Sequence, residues 1–157
     1  MSVHEIIIDI DNDLDVSLSP CYAKSWFDSG DVEDRADGMH TILSNKTEKV
    51  KLCSFSPWTG TSGYIIYSMT KPQSDAAYLA IAASNPVVGT NKVDVAIVNP
   101  ANIDDESRVL WNNMDSHDYN DFYKDLTMFG KPVSVRCSCT GGSPSMCSIL
   151  LAYKEPA

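Results

Sequence analysis

Asp9, Asp11, Asp13 and Asp15 recur at every second position, an oxygen-rich spacing of the kind a calcium loop uses. A calcium loop also needs glycine at its sixth position and glutamate at its twelfth. Counted from Asp9 those positions hold Leu14 and Pro20, and counted from Asp11 they hold Val16 and Tyr22, so both registers fail. The repeat reads instead as the solvated face of a strand and its turn. Three of the five cysteines, Cys137, Cys139 and Cys147, fall near one another, the first two on one face of a strand. No histidine lies nearby and a tetrahedral zinc site needs four ligands, so reduced buried thiols are expected; whether any of the three pair stays open. His4, His40 and His117 form no metal-binding pair. Ser62 in Gly-Thr-Ser-Gly approaches the nucleophile-elbow spelling without matching it, and no helical pattern follows. The sequon Asn45-Lys46-Thr47 reads as a chance match. No catalytic residue, metal or cofactor is assigned on these grounds. The chain is expected to bind rather than to catalyse.

The aromatic residues offer other chemistry. Tyr119, Phe122, Tyr123 and Leu126 are spaced i, i+3, i+4 and i+7, which predicts a helix over about 116–128. Asp115 or Ser116 would cap it, and Gly130 and Pro132 would stop it. Tyr119 and Tyr123 then share one face. On their own they suit packing against a sheet better than the alternative, an electron-rich cup for a quaternary ammonium ion. The elements around them are short and extended: alternation at Leu14, Val16 and Leu18, at Val93, Val95 and Ile97, and at Val133, Val135 and Cys137, with β-rich runs at GYIIYSM and AYLAIAAS. RVLWNN is a further short strand candidate. Frequent turn signals complete the prediction of one mainly β domain spanning 1–157, a compact β-sandwich of about ten short strands with one flanking helix.

The chain has 157 residues, 43% of them hydrophobic, enough for a core without staples. Twelve Lys+Arg against 21 Asp+Glu give a net charge of −9. That charge opposes nucleic-acid backbones, and it opposes adhesion to anionic lipid by charge alone. The longest apolar run, Ala76 to Ala83, is far shorter than the roughly 20 residues of a spanning helix. No basic, cleavable leader is visible, so a cytoplasmic protein, or one released without a signal peptide, is expected.

The order of these pieces resembles the actinoporin-like superfamily, the sea-anemone pore-forming cytolysins and their relatives. IIIDIDNDLDVSL is similar to that family's early strand with an asparagine and a following turn. WFDSG is similar to its aromatic-x-Ser-Gly step, and GTSGYIIYSM to its central strand ending in Tyr-x-Met. YLAIAASNP is similar to its strand ending in Ser-x-Pro, and YNDFYKDL to its tyrosine-bearing second helix. The resemblance implies a β-sandwich that binds sphingomyelin through a phosphocholine pocket. Ser29, Ser84, Pro86, Tyr119 and Tyr123 stand at matching positions, while Lys124 occupies the place of a third tyrosine, a positive charge beside the choline. The first strand begins within a few residues of Met1, so the amphipathic helix that forms the family's pore is not expected here, nor is lysis by this chain alone. Fungal fruit-body lectins use the same sandwich. GTSG before a strand, and a later strand ending in asparagine, resemble their sugar site and imply Ser62, Gly63 and Asn85. A membrane headgroup or a glycan is therefore the expected partner, with peripheral membrane contact at most and a homo-oligomer left open.

Overall fold

The computed structural model describes residues 4–56, 58–72, 76–115 and 121–154. Eleven strands are present among them: β1 (Ile6–Asp13), β2 (Ser19–Pro20), β3 (Trp26–Ser29), β4 (Asp31–Val32), β5 (Lys46–Cys53), β6 (Thr61–Met69), β7 (Ala77–Asn85), β8 (Lys92–Val98), β9 (Asp121–Met128), β10 (Lys131–Cys139) and β11 (Ser145–Tyr153). One α-helix, α1 (Ile103–Asp115), separates β8 from β9. The strands form two sheets. The first has six, in the order β4-β5-β1-β11-β10-β9; the second has β2-β6-β7-β8, with β3 also paired to β6. Neighbours are antiparallel except β1 and β11, which run parallel.

Alternation along each strand builds the core between the sheets. Ile6, Ile8 and Ile10 of β1, Val133, Val135 and Cys137 of β10, and Cys147, Ile149 and Leu151 of β11 face Ile65, Tyr67 and Met69 of β6, Leu79, Ile81 and Ala83 of β7, and Val93 and Val95 of β8. The other face of the second sheet is also apolar, so it needs a cover. Tyr64, Ile66, Ala80, Ala82 and Val98 lie beneath Ile103, Leu110 and Met114 of α1. The small Ala80 and Ala82 let the helix approach. A 3-10 turn, Pro100–Asn102, leads into α1: Asn99 caps it by accepting a hydrogen bond from the Ala101 amide at 2.9 Å and Pro100 opens it, while Asp104, Asp105 and Glu106 in the first turn of α1 meet the positive end of the helix dipole.

The sandwich and its single helix agree with the sequence expectation, but the helix lies elsewhere. Residues 121–128, expected within a helix over 116–128, form β9 and pair with β10 from Asp121–Ser138 to Met128–Lys131. Phe122 and Leu126 stand four apart, and four is a multiple of both a helical and a strand period. The intervening Lys124 and following Met128 lie on the same side, while Asp121, Tyr123, Asp125 and Thr127 point outward. RVLWNN, expected as a strand, belongs instead to α1. Its apolar stripe runs Ile103, Leu110 and Met114 with fully buried Ser107 filling one step, so a serine broke the pattern that would have revealed the helix. All five cysteines are free thiols; Cys139 and Cys147 stand directly opposite on β10 and β11.

Candidate functional site

Four of the sequence-assigned residues converge at one end of the sandwich. Ser29 on β3 pairs with Ser62 on β6, Ser62 pairs with Ser84 on β7, and Ser84 pairs with Lys92 on β8. Cross-strand partners share a face, so Ser62, Ser84 and Lys92 form a row on the outer side of the second sheet, with Ser29 at its edge. A register shift between Phe27 and Ser29 brings Ser29 opposite Ser62, and its hydroxyl donates to the Gly60 carbonyl at 2.6 Å. The residue after the next one past Ser84 is Pro86, which opens the β7–β8 loop and is half-buried. The Ser62 and Ser84 side chains are recessed, at 9% and 8% exposed.

The other residues of the two expected sites are placed differently. Tyr123 lies on β9 opposite Arg136, between inward-facing Val135 and Cys137, and so on the outer face of the first sheet. Both sheets, packed about 10 Å apart, separate it from Ser84. Tyr119 lies outside the described residues. Lys124 does not stand beside any headgroup: it points inward, donating to the Val95 carbonyl at 2.7 Å and reaching the Asp94 carboxylate at 3.3 Å. Asn85 is 3% exposed, and its amide nitrogen donates to the Glu5 carbonyl at 2.9 Å. Opposite it, the Thr61 hydroxyl donates to the His4 carbonyl. This pair fastens the start of β1 to the second sheet. Gly63 serves close approach, since a Cβ there would stand 2.3 Å from the Trp26 carbonyl oxygen.

The sequence did not single out the apolar residues at this same end. Trp58 is 86% exposed, Val88 88% and Phe55 71%, and Val87 is half exposed. Two loops carry them, the β5–β6 loop and the β7–β8 loop. The loops touch: a Cβ on Gly60 would stand 2.5 Å from the Asn85 carbonyl oxygen and 2.8 Å from the Pro86 Cα. The signal was present as a tryptophan set among turn residues, Ser56-Pro57-Trp58-Thr59-Gly60, where a strand side chain would have had a core to enter. Beside this tip a groove of about 550 Å³ runs between Gly30, Glu33, Arg35, Cys53, Ser54 and Phe55. Burial, and then the Glu33 carboxylate, push the Cys53 thiol up, so the groove offers no thiolate at neutral pH.

An aromatic cluster lies behind the serine row. The Trp26 ring stands 5.7 Å from Tyr64 and 5.3 Å from Trp111, the latter edge-on. The Arg108 guanidinium of α1 sits over the Trp26 ring at 3.9 Å from its centroid. That indole face already holds a cation. No group of three or more metal-ligating side chains occurs among the described residues.

No family model and no curated protein matches the sequence. Solved structures do match in shape. A structure described as the lipid-binding protein Nakanori superposes with a TM-score of 0.74 at 13% identity, over 97% of this chain and 72% of that one. The lectin of Xerocomus chrysenteron superposes at 0.54 and 14% identity, over 97% of this chain and all of that one. At such identities the likeness is one of fold alone: the chain has a β-sandwich like those of these two proteins.

Proposed function

We propose that this chain is a non-enzymatic protein that binds a zwitterionic, phosphate-bearing lipid headgroup at a membrane surface. One observation carries the reading: the serine row and the exposed Phe55, Trp58, Val87 and Val88 occupy the same end of the sandwich. Two recessed hydroxyls can donate to phosphate oxygens, while exposed apolar side chains on adjoining loops enter the interfacial layer, where tryptophan is favoured. A net charge of −9 opposes an anionic surface, so apolar contact must supply the attraction. That one protein of the same fold is a lipid-binding protein supports the same direction.

The site residues in this reading are Ser29, Ser62, Ser84, Pro86 and Trp58, with Tyr123 on the other sheet. The commitment of Asn85 and Gly63 to the joint between β1, β3 and β6 speaks against a sugar site there. Flotation with vesicles of phosphatidylcholine and sphingomyelin tests the proposal. The chain should float with these vesicles, and added phosphatidylserine should weaken the binding. Trp58→Ala combined with Val88→Asp should release the protein while leaving its melting temperature within a degree or two, and Ser84→Ala should weaken binding without abolishing it. Absence of flotation with either zwitterionic lipid, or unchanged flotation of the double variant, would overturn the reading.

A further inference from the structure

The outer face of the first sheet carries a second constellation. Cross-strand register sets two adjacent rows across five strands. One runs Thr47, Asp11, Leu150, Arg136 and Tyr123, on β5, β1, β11, β10 and β9 in turn. The next runs Lys49, Asp9, Ser148, Ser138 and Asp121 over the same strands. At a strand spacing of about 4.8 Å each row extends about 19 Å. The two serines are the shortest side chains at its centre, and a depression of about 420 Å³ lies over them, walled by Asp9, Asp11, Thr47 and Arg136.

Three features of this depression point to a ligand. One carboxylate oxygen of Asp9 is enclosed and has no hydrogen-bond partner among the described residues. An enclosed acceptor without a donor is costly, and native proteins keep few of them. At the end of the row, Tyr123 holds its ring 72% exposed, with the Arg136 guanidinium 5.6 Å from the ring centroid. Arg136 also reaches Asp121 at 3.5 Å, which steadies it over the tyrosine. Beside that cation most of the Tyr123 side chain stays open to solvent.

The chemistry selects the ligand class. Asp9 and Asp11 accept hydrogen bonds, Arg136 donates, and Ser138, Ser148 and Thr47 do both. Leu150 and Tyr123 offer apolar patches between them. A vicinal diol presents donor and acceptor together, and a sugar ring presents an apolar C–H face beside them. Two carboxylates in the depression repel phosphate, and the described residues hold no cluster suited to a metal ion. We propose that this face is a binding site for a neutral saccharide, with Tyr123 as its stacking platform and Asp9, Asp11 and Arg136 as its polar anchors. The site is on the opposite face of the sandwich from the serine row and does not rest on the headgroup reading.

A printed array of neutral and charged glycans, probed with the labelled full-length chain, tests the inference, followed by titration of the best neutral oligosaccharide. Tyr123→Ala should weaken that binding roughly tenfold. Asp9→Asn and Arg136→Ala should each abolish detectable binding. Tyr123 is exposed, so its variant should melt as the parent does, and its flotation with sphingomyelin vesicles should be unchanged. Conversely, Trp58→Ala should lose flotation and keep sugar binding. No neutral glycan bound on the array, binding undiminished in both Tyr123→Ala and Arg136→Ala, or binding of cationic amines such as spermidine in place of sugars would overturn the proposal.

Discussion

Lys124 provides a direct test of how the open side of the sandwich is closed. β9 is the edge of the first sheet and β8 the edge of the second. Unpaired edges invite association with other chains, and an inward-pointing charge is one way to blunt them. From β9 the Lys124 ammonium reaches across to β8, donating to the Val95 carbonyl at 2.7 Å and to Asp94 Oδ1 at 3.3 Å. The Asp94 side chain is 6% exposed and that of Lys124 35%. Lys124→Met keeps the stem and removes the ammonium, leaving a nearly buried carboxylate and an edge carbonyl short of a donor. Breaking a fully buried pair from one side costs about 3–5 kcal/mol. Water reaches this lysine, and the Val95 amide still donates to Asp94 at 2.8 Å, so the loss is nearer about 2 kcal/mol. For a chain of this size that lowers the melting temperature by about 4–8 °C. Urea unfolding should show a lower midpoint with an unchanged slope. Adding Asp94→Asn should restore part of the loss, a coupling of at least about 1 kcal/mol between two side chains in contact. A single variant within about 0.5 kcal/mol of the parent, or strictly additive effects in the pair, would refute the bridge as a stabilising link.

Two further outcomes are expected. Fully buried Asn12 donates to the Val16 and Ile42 carbonyls at 2.8 and 3.1 Å and accepts from the Leu14 amide at 3.1 Å; the Ile42 carbonyl keeps the Leu18 amide, so Asn12→Ala takes the side-chain partner from two backbone groups, the Val16 carbonyl and the Leu14 amide. Chemical denaturation should show a loss of about 3 kcal/mol or more, and a loss under about 1 would contradict the count. Among the β10–β11 thiols, burial pushes Cys137 up to about 12, whereas a hydrogen bond from Cys147 holds Cys139 below the ordinary thiol range. Thiolate is the reactive form, so iodoacetamide near pH 8, read by peptide mass mapping, should label Cys139 first and Cys137 only after unfolding. Equal native rates at the two would contradict the burial.

The sandwich was legible because its evidence is repeated: clean two-residue alternation recurs in strand after strand, and a turn residue stops each one. The resemblance named Ser29 and Ser84 for one site and Ser62 for another, and the row that joins them was not legible. Nothing in the types of Ser29, Ser62 and Ser84 shows that they fall in line, because that depends on the register of β3, β6 and β7, which is set by distant contacts. The helix was misplaced for a definite reason. Tyr119, Phe122, Tyr123 and Leu126 satisfy helical spacing, yet Phe122, Lys124, Leu126 and Met128 satisfy a strand equally well once a lysine is allowed to face inward. A charge at that position argued against burial on sequence grounds, and the carboxylate of Asp94, thirty residues away, was the missing partner. Asn85 shows the opposite error: its strand-end position looks available to a ligand, but its side chain holds the start of β1 in place.

The two outer faces of the sandwich differ because one of them had to be covered. Tyr64, Ile66, Ala80, Ala82 and Val98 make the second sheet apolar on both sides, and α1 lies across it, leaving only the strand ends and their loops for recognition. On the first sheet, β1 and β11 place Asp9, Asp11 and Ser148 outward, so that face is wettable without a cover. The consequence is a division by chemistry. Apolar recognition is confined to the tip, where Trp58 and Val88 stand out from an otherwise acidic molecule, and polar recognition has a broad, rigid sheet to work on. The net charge of −9 disfavours anionic lipid, so in the proposed headgroup reading membrane contact falls to the apolar tip. A close-packed core lies between the two surfaces, so the two proposed binding modes are expected to couple only through the orientation that the tip gives the whole molecule at a surface.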